Sequence, residues 1–317
     1  MAMLENLIFC LNATIPVFLL MILGMVFMKF KLFDENFVKK MNAFVFKIAL
    51  PVLVFKDLYQ EDFYQVWDTK YVLYCFLTTA GSIVIVTAVS YFLKDKSVQG
   101  EFIQVAYRSS AAILGITLVE NIYGNAGMTP LMIIGSVPLY NILAVIVLAV
   151  FKPEREPLDK KLFLKTGKGI ITNPIILGIL AGLIWSLIQI PVPSIIDKTV
   201  ENVARIATPL GLMAMGASFD IKKALSSIKT AGLSTFIKLA GLVCLFVPVA
   251  VALGFREDKL VAALIMCGSP STVSCYVMAK NMGHDGTLTS STVMLTTFFS
   301  AFTLTLWLFI LKSFHFL

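Results

Sequence analysis

The stretch CGSPSTVSCYVMAKNMGHDG at residues 267–286 decides the fold, together with YRSSAAILGITLVENIYGNAG at residues 107–127. Each stretch lies in a membrane-length apolar segment that small polar residues interrupt near its start. Three pairs of residues share a separation of 159 positions, namely Ser110 and Ser269, Gly124 and Gly283, and Gly127 and Gly286. Interrupted helices at corresponding places in two halves of a chain indicate the binding site of a membrane transporter.

The composition places the chain in a membrane. Of its 317 residues, 58% are hydrophobic and 14% are charged, and the mean hydropathy is +0.87, whereas soluble domains carry about 25% charged residues. The net charge of +7 comes mainly from Lys and Arg in short connections between apolar runs, where such residues set topology. Membrane lipid is therefore an expected partner, and nucleic acid is not.

Ten apolar runs, each about the 20 residues needed to cross a bilayer, predict an all-α polytopic membrane protein with ten transmembrane helices. The predicted spans are 6–28, 38–58, 71–93, 102–122, 128–151, 169–190, 198–219, 230–254, 259–281 and 287–311. Several spans contain a proline, which a packed membrane bundle tolerates.

The longest polar connection divides the ten helices into two sets of five. Residues 152–168 are basic and contain prolines, so we predict a cytoplasmic linker between a first repeat at 1–151 and a second repeat at 169–317. Further pairs lie 158 positions apart, namely Pro16 and Pro174, Gly24 and Gly182, and Pro51 and Pro209. Because five is an odd number, the second repeat enters the membrane inverted, with helices four and nine as the broken, crossing pair.

The distribution of basic residues predicts the orientation. The odd-numbered connections hold most of the Lys and Arg residues, whereas the second connection is acidic, with Asp57, Glu61, Asp62 and Asp68. The positive-inside rule then puts the odd-numbered connections in the cytoplasm and both termini outside. We expect a multi-pass protein of the plasma membrane, which in a bacterium is the cell inner membrane.

An interrupted membrane helix leaves backbone N–H and C=O groups that need partners. The second half of each broken helix begins with free N–H groups and the positive end of a helix dipole, which favour an anion such as a carboxylate. Polar residues and one proline surround the breaks, and we predict a substrate site from Ser109, Ser110, Ser269, Pro270, Ser271 and Thr272. The alternative is that these small residues only allow close helix packing.

Arg108, directly beside the first break, is the best charged candidate, because a guanidinium can pair with a carboxylate through two hydrogen bonds. The alternative is an arginine that extends to the membrane surface. Asn141 is a candidate for the same cavity, with an interhelical hydrogen bond as its alternative. The weaker candidates, which could pair internally or carry a coupled proton, are Lys47, Glu120, Arg205 and Lys238.

Enzymatic, nucleotide-binding and metal-binding signatures are absent from the sequence. It has no HExxH, GxSxG or P-loop pattern, and its five cysteines and two histidines form no cluster. We therefore expect no enzyme activity, no metal and no cofactor. Transport must be passive, ion-coupled or driven by a separate subunit, and protons and sodium are both open as coupling ions.

Five stretches, in this order and spacing, resemble the auxin efflux carrier family, whose bacterial branch includes malate and malonate permeases. They are ALPVLVFKDL at 49–58, RSSAAILGITLVENIYG at 108–124, NPIILGILAGL at 173–183, TPLGLMAMGASF at 208–219 and SPSTVSCYVMAKNMGHD at 269–285. The resemblance covers the whole length. The sequence departs from the family at Ser110, where Asn is frequent, and at Thr117, where Pro is frequent.

The resemblance implies an inverted repeat in which helices one, two, six and seven form a scaffold and the other helices a mobile transport domain. Alternating access would be of the elevator type, and a homodimer is left open. By motif, the resemblance places the fourth-helix site on Ser109, Ser110 and Gly115. It places the ninth-helix site on Ser269, Pro270 and Ser271.

The leading functional hypothesis is a secondary active or facilitative carrier of a small organic anion, above all a carboxylate. One alternative is a sodium-coupled carrier of the bile-acid-symporter type, which would need Asp, Glu, Asn and Gln clustered near the crossing. The two broken segments offer only Glu120, Asn121 and Asn281, all at their ends. The other alternative is a receptor or regulator that keeps the carrier fold without transport, which a fused signalling domain would favour.

Overall fold

The computed structural model describes residues 2–59, 67–111, 118–119, 122–124, 127–153, 169, 171–188 and 191–317, and for residues 2–14 the backbone alone. Gly115, Thr117 and Glu120 lie outside these residues, as do residues 154–168 of the predicted linker. Throughout the described chain the regular structure is helical, without a strand. The prediction of an all-α protein is confirmed.

The principal helices of the described chain are numbered in order. They are α1 Ala2–Lys29, α2 Glu35–Phe44, α3 Leu50–Tyr59, α4 Thr69–Ser90, α5 Gln99–Tyr107, α6 Thr129–Val150, α7 Pro174–Ile188, α8 Ser194–Ala217, α9 Ile221–Ser226, α10 Ile228–Phe236, α11 Leu242–Ala252, α12 Glu257–Gly268, α13 Ser274–Asn281 and α14 Thr287–Ser313. Single π-helical turns at Val45–Ala49 and Ile237–Gly241 join α2 to α3 and α10 to α11.

Four helical segments of the described chain are long and apolar enough to cross a membrane. They are α4, α6, the continuous segment Ile228–Ala252 and α14, and shorter apolar helices lie at Ile15–Lys29 and Pro174–Ile188. Their outer faces carry exposed apolar side chains such as Leu19, Val84 and Leu306. The chain is therefore a polytopic integral membrane protein.

Acidic side chains begin several helices by accepting hydrogen bonds from first-turn N–H groups, which have no acceptor within the helix. Asp34 Oδ1 accepts from Phe37 N (2.6 Å), and Asp68 Oδ1 accepts from Tyr71 N (3.0 Å). A hydrogen bond from Lys259 Nζ to Asp68 Oδ2 (2.7 Å) lowers the pKa of that carboxyl below its usual value. The same bond ties the start of α4 to the start of α12.

Helices α1 and α8 pack with their backbones in direct contact. A Cβ atom at Gly24 of α1 would lie 2.1 Å from Met213 O of α8, and one at Gly216 of α8 would lie 2.0 Å from Met21 O of α1. Such distances are far below van der Waals contact, so only glycine fits at either position. Small residues of this kind allow close helix association in a membrane, where apolar burial gives little driving force.

The buried apolar side chains form two main clusters. The first draws mainly on α4, α5, α6, α11, α12 and α14, and the second mainly on the π-helical turn Val45–Ala49, α3, α7, α8 and α13. Cys267 at the end of α12 belongs to the first cluster, and Cys275 at the start of α13 belongs to the second. The chain between α12 and α13, which includes the predicted break at Ser269–Thr272, therefore passes from one cluster to the other.

The charged candidates within predicted spans differ in their surroundings. Lys47 and Lys238 both lie in π-helical turns, which are frequent at functional sites, but Lys47 is exposed and Lys238 is 0% exposed. Arg205 is exposed and pairs with Glu201 one turn away (2.7 Å). Among these three residues, only Lys238 is buried inside the protein, which makes it the candidate for a functional role.

Candidate functional site

The two predicted breaks meet in space. After α5 the backbone becomes extended at Arg108 (φ −80°, ψ 129°), and after α12 it becomes extended at Ser269 (φ −73°, ψ 159°). Ser110 N donates a hydrogen bond to Pro270 O across the contact (2.9 Å). Two non-helical segments from distant parts of the chain thus satisfy backbone groups of each other, as buried polar groups require.

A serine at each break donates a hydrogen bond to a backbone carbonyl at the end of the opposite helix. Ser109 Oγ donates to Met266 O in the last turn of α12, and Ser271 Oγ donates to Val105 O in the last turn of α5 (2.7 Å). Met266 O lacks a helical partner because Pro270, four residues on, has no N–H. Both hydroxyl protons are thus committed to the protein, so a ligand would meet only the oxygen lone pairs.

Lys238 places its ammonium between the ends of α5 and α12. Its Nζ donates to Ser109 Oγ, to Cys267 O (2.7 Å) and to Tyr107 O (3.4 Å). All three ammonium protons therefore have acceptors within the protein. Carbonyls at the C-terminus of a helix form the negative end of its dipole, so two helix ends stabilise this positive charge.

Arg108 is enclosed in the protein, with 4% of its surface exposed. Its Nη2 donates to Asn141 Oδ1, and its Nη1 contacts Met278 Sδ (2.7 Å). Asn141 Nδ2 donates to Val137 O (2.9 Å) in its own helix, which orients the amide so that Oδ1 faces the guanidinium. The side chain does not extend to the surface, contrary to the alternative considered from the sequence, because Asn141 and Met278 hold it inside.

Two tyrosines connect α5, α6 and α12 next to the contact between the two breaks. Tyr107 OH donates to Tyr140 O (3.0 Å), and Tyr140 OH donates to Met266 O (3.0 Å). Met266 O therefore accepts from Ser109 and from Tyr140 at once. This carbonyl is the point at which the first break is fixed to α6 and α12.

Two polar atoms beside the breaks have no hydrogen-bond partner among the described residues. Gln104 Nε2 donates to Cys275 O (2.8 Å), but Gln104 Oε1 is buried and unpaired. Ser269 Oγ is also buried and unpaired. Buried polar atoms are rarely left without a partner, so both are candidates for contact with a bound polar molecule or water.

The comparison with protein families decides the classification. A family described as "Membrane transport protein" matches residues 9–308, which include both breaks. The chain belongs to this family. The resemblance to auxin efflux carriers inferred from the five stretches is thereby confirmed.

Two relatives match nearly the whole of this membrane transport protein. An "Uncharacterized transporter" of Methanothermobacter thermautotrophicus (strain Delta H) is 22% identical over 301 residues, which are 93% of this chain and 96% of the relative. A "Putative malonate transporter" of Rhizobium meliloti (strain 1021) is 21% identical over 280 residues, which are 86% of this chain and 87% of the relative.

The structure of this membrane transport protein brings most of the residues predicted for the site to one place. Around the contact between the breaks lie Arg108, Ser109, Ser110, Asn141, Ser269, Pro270, Ser271 and Thr272. Gly115 lies outside the described residues. Lys238 was ranked low from the sequence, although its signal, a charge inside an apolar run, was visible. Tyr140 and Gln104 were missed, since neither stands out from other polar residues in the spans.

Replacing Pro270 by Ala should weaken transport while the protein still folds. The new N–H would lie four residues after Met266 and could donate to its carbonyl, as in a continuous helix. It would then compete with Ser109 Oγ for that oxygen and close the break. A lost hydrogen bond of about 1.4 kcal/mol corresponds to a roughly tenfold slower uptake.

The matched control is Pro248→Ala, because Pro248 lies inside α11 and forms no part of the breaks. Both variants would be reconstituted at equal amounts after size-exclusion chromatography, and initial uptake rates compared. Equal rates for Pro270→Ala and the wild type would favour the alternative that the small residues serve helix packing alone.

Proposed function

We propose that this protein carries a small organic anion, a carboxylate above all, across the membrane, with the substrate bound where the two breaks meet. The observation that carries the proposal is a pair of buried cations. Among the described residues, no carboxylate lies within 4 Å of Arg108 or Lys238. A buried charge without a counterion is costly, and a bound anion would supply the missing negative charge.

Arg108 is the better of the two cations to contact the substrate. A guanidinium carries five N–H donors, and within the described chain its only oxygen acceptor is Asn141 Oδ1, beside the weakly accepting sulfur of Met278. Lys238 has acceptors for all of its protons. The unused donors of Arg108 can therefore bind a carboxylate through two hydrogen bonds.

The packing of glycines supports two inverted repeats of five helices. Gly24 of α1 meets Met213 O of α8. In the proposed repeat, Gly182 corresponds to Gly24, 158 residues earlier, and Phe55 corresponds to Met213, 158 residues later. A Cβ atom at Gly182 of α7 would lie 3.0 Å from Phe55 O of α3. The same contact thus recurs with the halves of the chain exchanged, as a duplicated and inverted fold requires. The proposed division of the chain is therefore a first repeat at 1–151, a linker at 152–168 and a second, inverted repeat at 169–317.

The two apolar clusters support alternating access of the elevator type. The close backbone contacts of α1 with α8 and of α3 with α7 support a rigid scaffold built from these four helices, to which α2 is joined through the π-helical turn Val45–Ala49. The first cluster, with both breaks at its border, would be the moving part. In this arrangement the substrate site moves with the transport domain past the scaffold, and helices one, two, six and seven of the predicted repeat are the stationary ones.

The placement in the membrane is also part of the proposal. The alternating basic connections support a plasma-membrane protein whose two termini lie outside the cytoplasm. The name of the Rhizobium meliloti relative supports malonate as the first substrate to test. The coupling ion and the assembly state are left open by the sequence, and transport and mass measurements can decide between proton and sodium coupling and between monomer and homodimer.

Counterflow in proteoliposomes tests the proposed function. Vesicles loaded with unlabelled malonate, succinate, acetate or a neutral amide would be diluted into the same compound in labelled form. We expect at least one carboxylate to accumulate transiently, roughly tenfold above protein-free vesicles, because an exchanging carrier traps label inside. A folded preparation that exchanges no carboxylate, or that exchanges malonamide as fast as malonate, would contradict the proposal.

A further inference from the structure

Three oxygen atoms from two stretches of the chain converge on a single point where the two breaks meet. They are Tyr107 O at the end of α5, Cys267 O at the end of α12, and Ser109 Oγ in the first break. The point is fully buried, and Lys238 Nζ occupies it. Uncharged oxygens at the negative ends of two helices form the kind of environment in which membrane transporters bind a monovalent cation.

The geometry points to a monovalent-cation site that this chain fills with its own ammonium. The inference rests on the proposed function only in treating the crossing as the transport site. Both Lys238 and a bound Na⁺ or K⁺ would place one positive charge at this point. Within the described chain no carboxylate lies within 4 Å of Lys238 Nζ, so a divalent ion would lack the negative charge that its binding demands.

Two observations favour a resident charge over an ordinary buried lysine. First, the acceptors match the three protons of the ammonium, with no surplus donor left for another group. Second, Lys238 lies in the π-helical turn Ile237–Gly241 and, unlike Lys47 in the other π-helical turn, is fully buried; such turns are frequent at functional sites. The wild-type carrier should therefore have no need of sodium, because the charge that a coupling ion would bring is already covalently present.

Removing the side chain tests the inference by exposing the site. In Lys238→Ala, the carbonyls of Tyr107 and Cys267 lose their cation, and the space of three methylene groups and the ammonium opens. Small cations at roughly 100 mM, namely Na⁺ or methylammonium, should raise the melting temperature of this variant by roughly 3 to 7 °C. Choline, which is too large for the site, should not. The wild type should respond equally little to all three salts.

Two further variants separate cation binding from a structural effect. Lys238→Met fills most of the space with an apolar chain, so its melting temperature should not depend on the cation. Lys223→Ala removes an exposed lysine (59% exposed) and controls for general salt effects. If Lys238→Ala is recovered in low amount, the yield of monodisperse protein purified with methylammonium or with choline gives the same comparison.

The measurement needs no substrate, so its failure is distinguishable from failure of the proposed transport function. Equal responses of Lys238→Ala and Lys238→Met to both small cations would overturn the inference, as would equal stabilisation of Lys238→Ala and the wild type. So would a response of Lys238→Ala to choline as large as its larger response to Na⁺ or methylammonium. Selective stabilisation by Na⁺ or methylammonium would support it.

Discussion

Replacing Gly24 by Ala should lower the melting temperature of the purified protein by roughly 6 to 12 °C. The added Cβ atom would lie 2.1 Å from Met213 O, and the obstacle is backbone that no rotamer change can move. Helices α1 and α8 would have to separate by about 1 Å along their contact, which forfeits dispersion contacts on both sides. Overpacking of this kind typically costs ~1 to 3 kcal/mol, and here the upper end is expected. Gly216→Ala should have a similar effect, because its Cβ atom would meet Met21 O at 2.0 Å.

Gly232→Ala is the matched control for this prediction. Gly232 lies inside helix α10 and has open space where a Cβ atom would be. Alanine in a helix is more favourable than glycine by roughly 0.5 to 1 kcal/mol, so the control should melt at the wild-type temperature or slightly above it. A thermal-unfolding series in one detergent checks all three variants. If Gly24→Ala and Gly232→Ala melt together, the close packing of α1 on α8 is not a rigid scaffold.

Replacing Arg108 by Gln should weaken binding of the transported carboxylate by roughly tenfold to a hundredfold. A hydrogen bond to a charged group contributes about 1.5 to 3 kcal/mol, and this range converts to that loss in the dissociation constant. Glutamine keeps an amide that can still donate to Asn141 Oδ1, so the local packing should survive. Isothermal titration of the solubilised protein checks the change.

Arg205→Gln is the control for the arginine variant. Arg205 is 71% exposed and pairs only with Glu201 among the described residues, so its replacement should leave the dissociation constant unchanged. Equal affinities for Arg108→Gln, Arg205→Gln and the wild type would show that Arg108 does not bind the substrate. Equal losses in both variants would show a general effect of net charge rather than a contact in the site.

The sequence predicted the breaks because their signals are local. Pro270 cannot donate a helical hydrogen bond, and it stands among small polar residues within a long apolar run. The structure ends α12 just before Ser269 and begins α13 at Ser274, as that pattern indicates. The pairing of Gly24 with Gly182 was equally visible as spacing, but its meaning, close contact with the facing helix, depends on three-dimensional packing.

The direction of individual hydrogen bonds was not predictable from the sequence. Ser109 and Ser271 were predicted to form part of the substrate site, yet the hydroxyl of each donates to a carbonyl at the end of the opposite helix. The reason is that a broken helix exposes carbonyls as well as N–H groups, and a nearby hydroxyl can satisfy a carbonyl that has no helical partner. Which carbonyl lies within reach is set by how the two breaks cross.

The position of Lys238 is a second case in which tertiary structure decides. From the sequence, Lys238 resembles Lys47, since each is a single lysine inside an apolar helix. In the structure each lies in a π-helical turn, but one faces outward and the other faces the crossing. The rotation of each helix about its own axis determines whether its lysine faces outward or faces the contact between the breaks. An apolar span without a clear polar face does not reveal that rotation.

The most direct test of the account compares an ionised substrate with its uncharged analogue in two proteins. The dissociation constants of malonate and malonamide, or of the best carboxylate from the counterflow panel and its amide, would be measured for the wild type and Arg108→Gln. The wild type should bind the ionised acid at least ~10-fold more tightly than the amide, and Arg108→Gln should lose most of that preference. Equal binding of acid and amide by the wild type, or a preference that survives in Arg108→Gln, would contradict the claim that the crossing binds a carboxylate through this arginine.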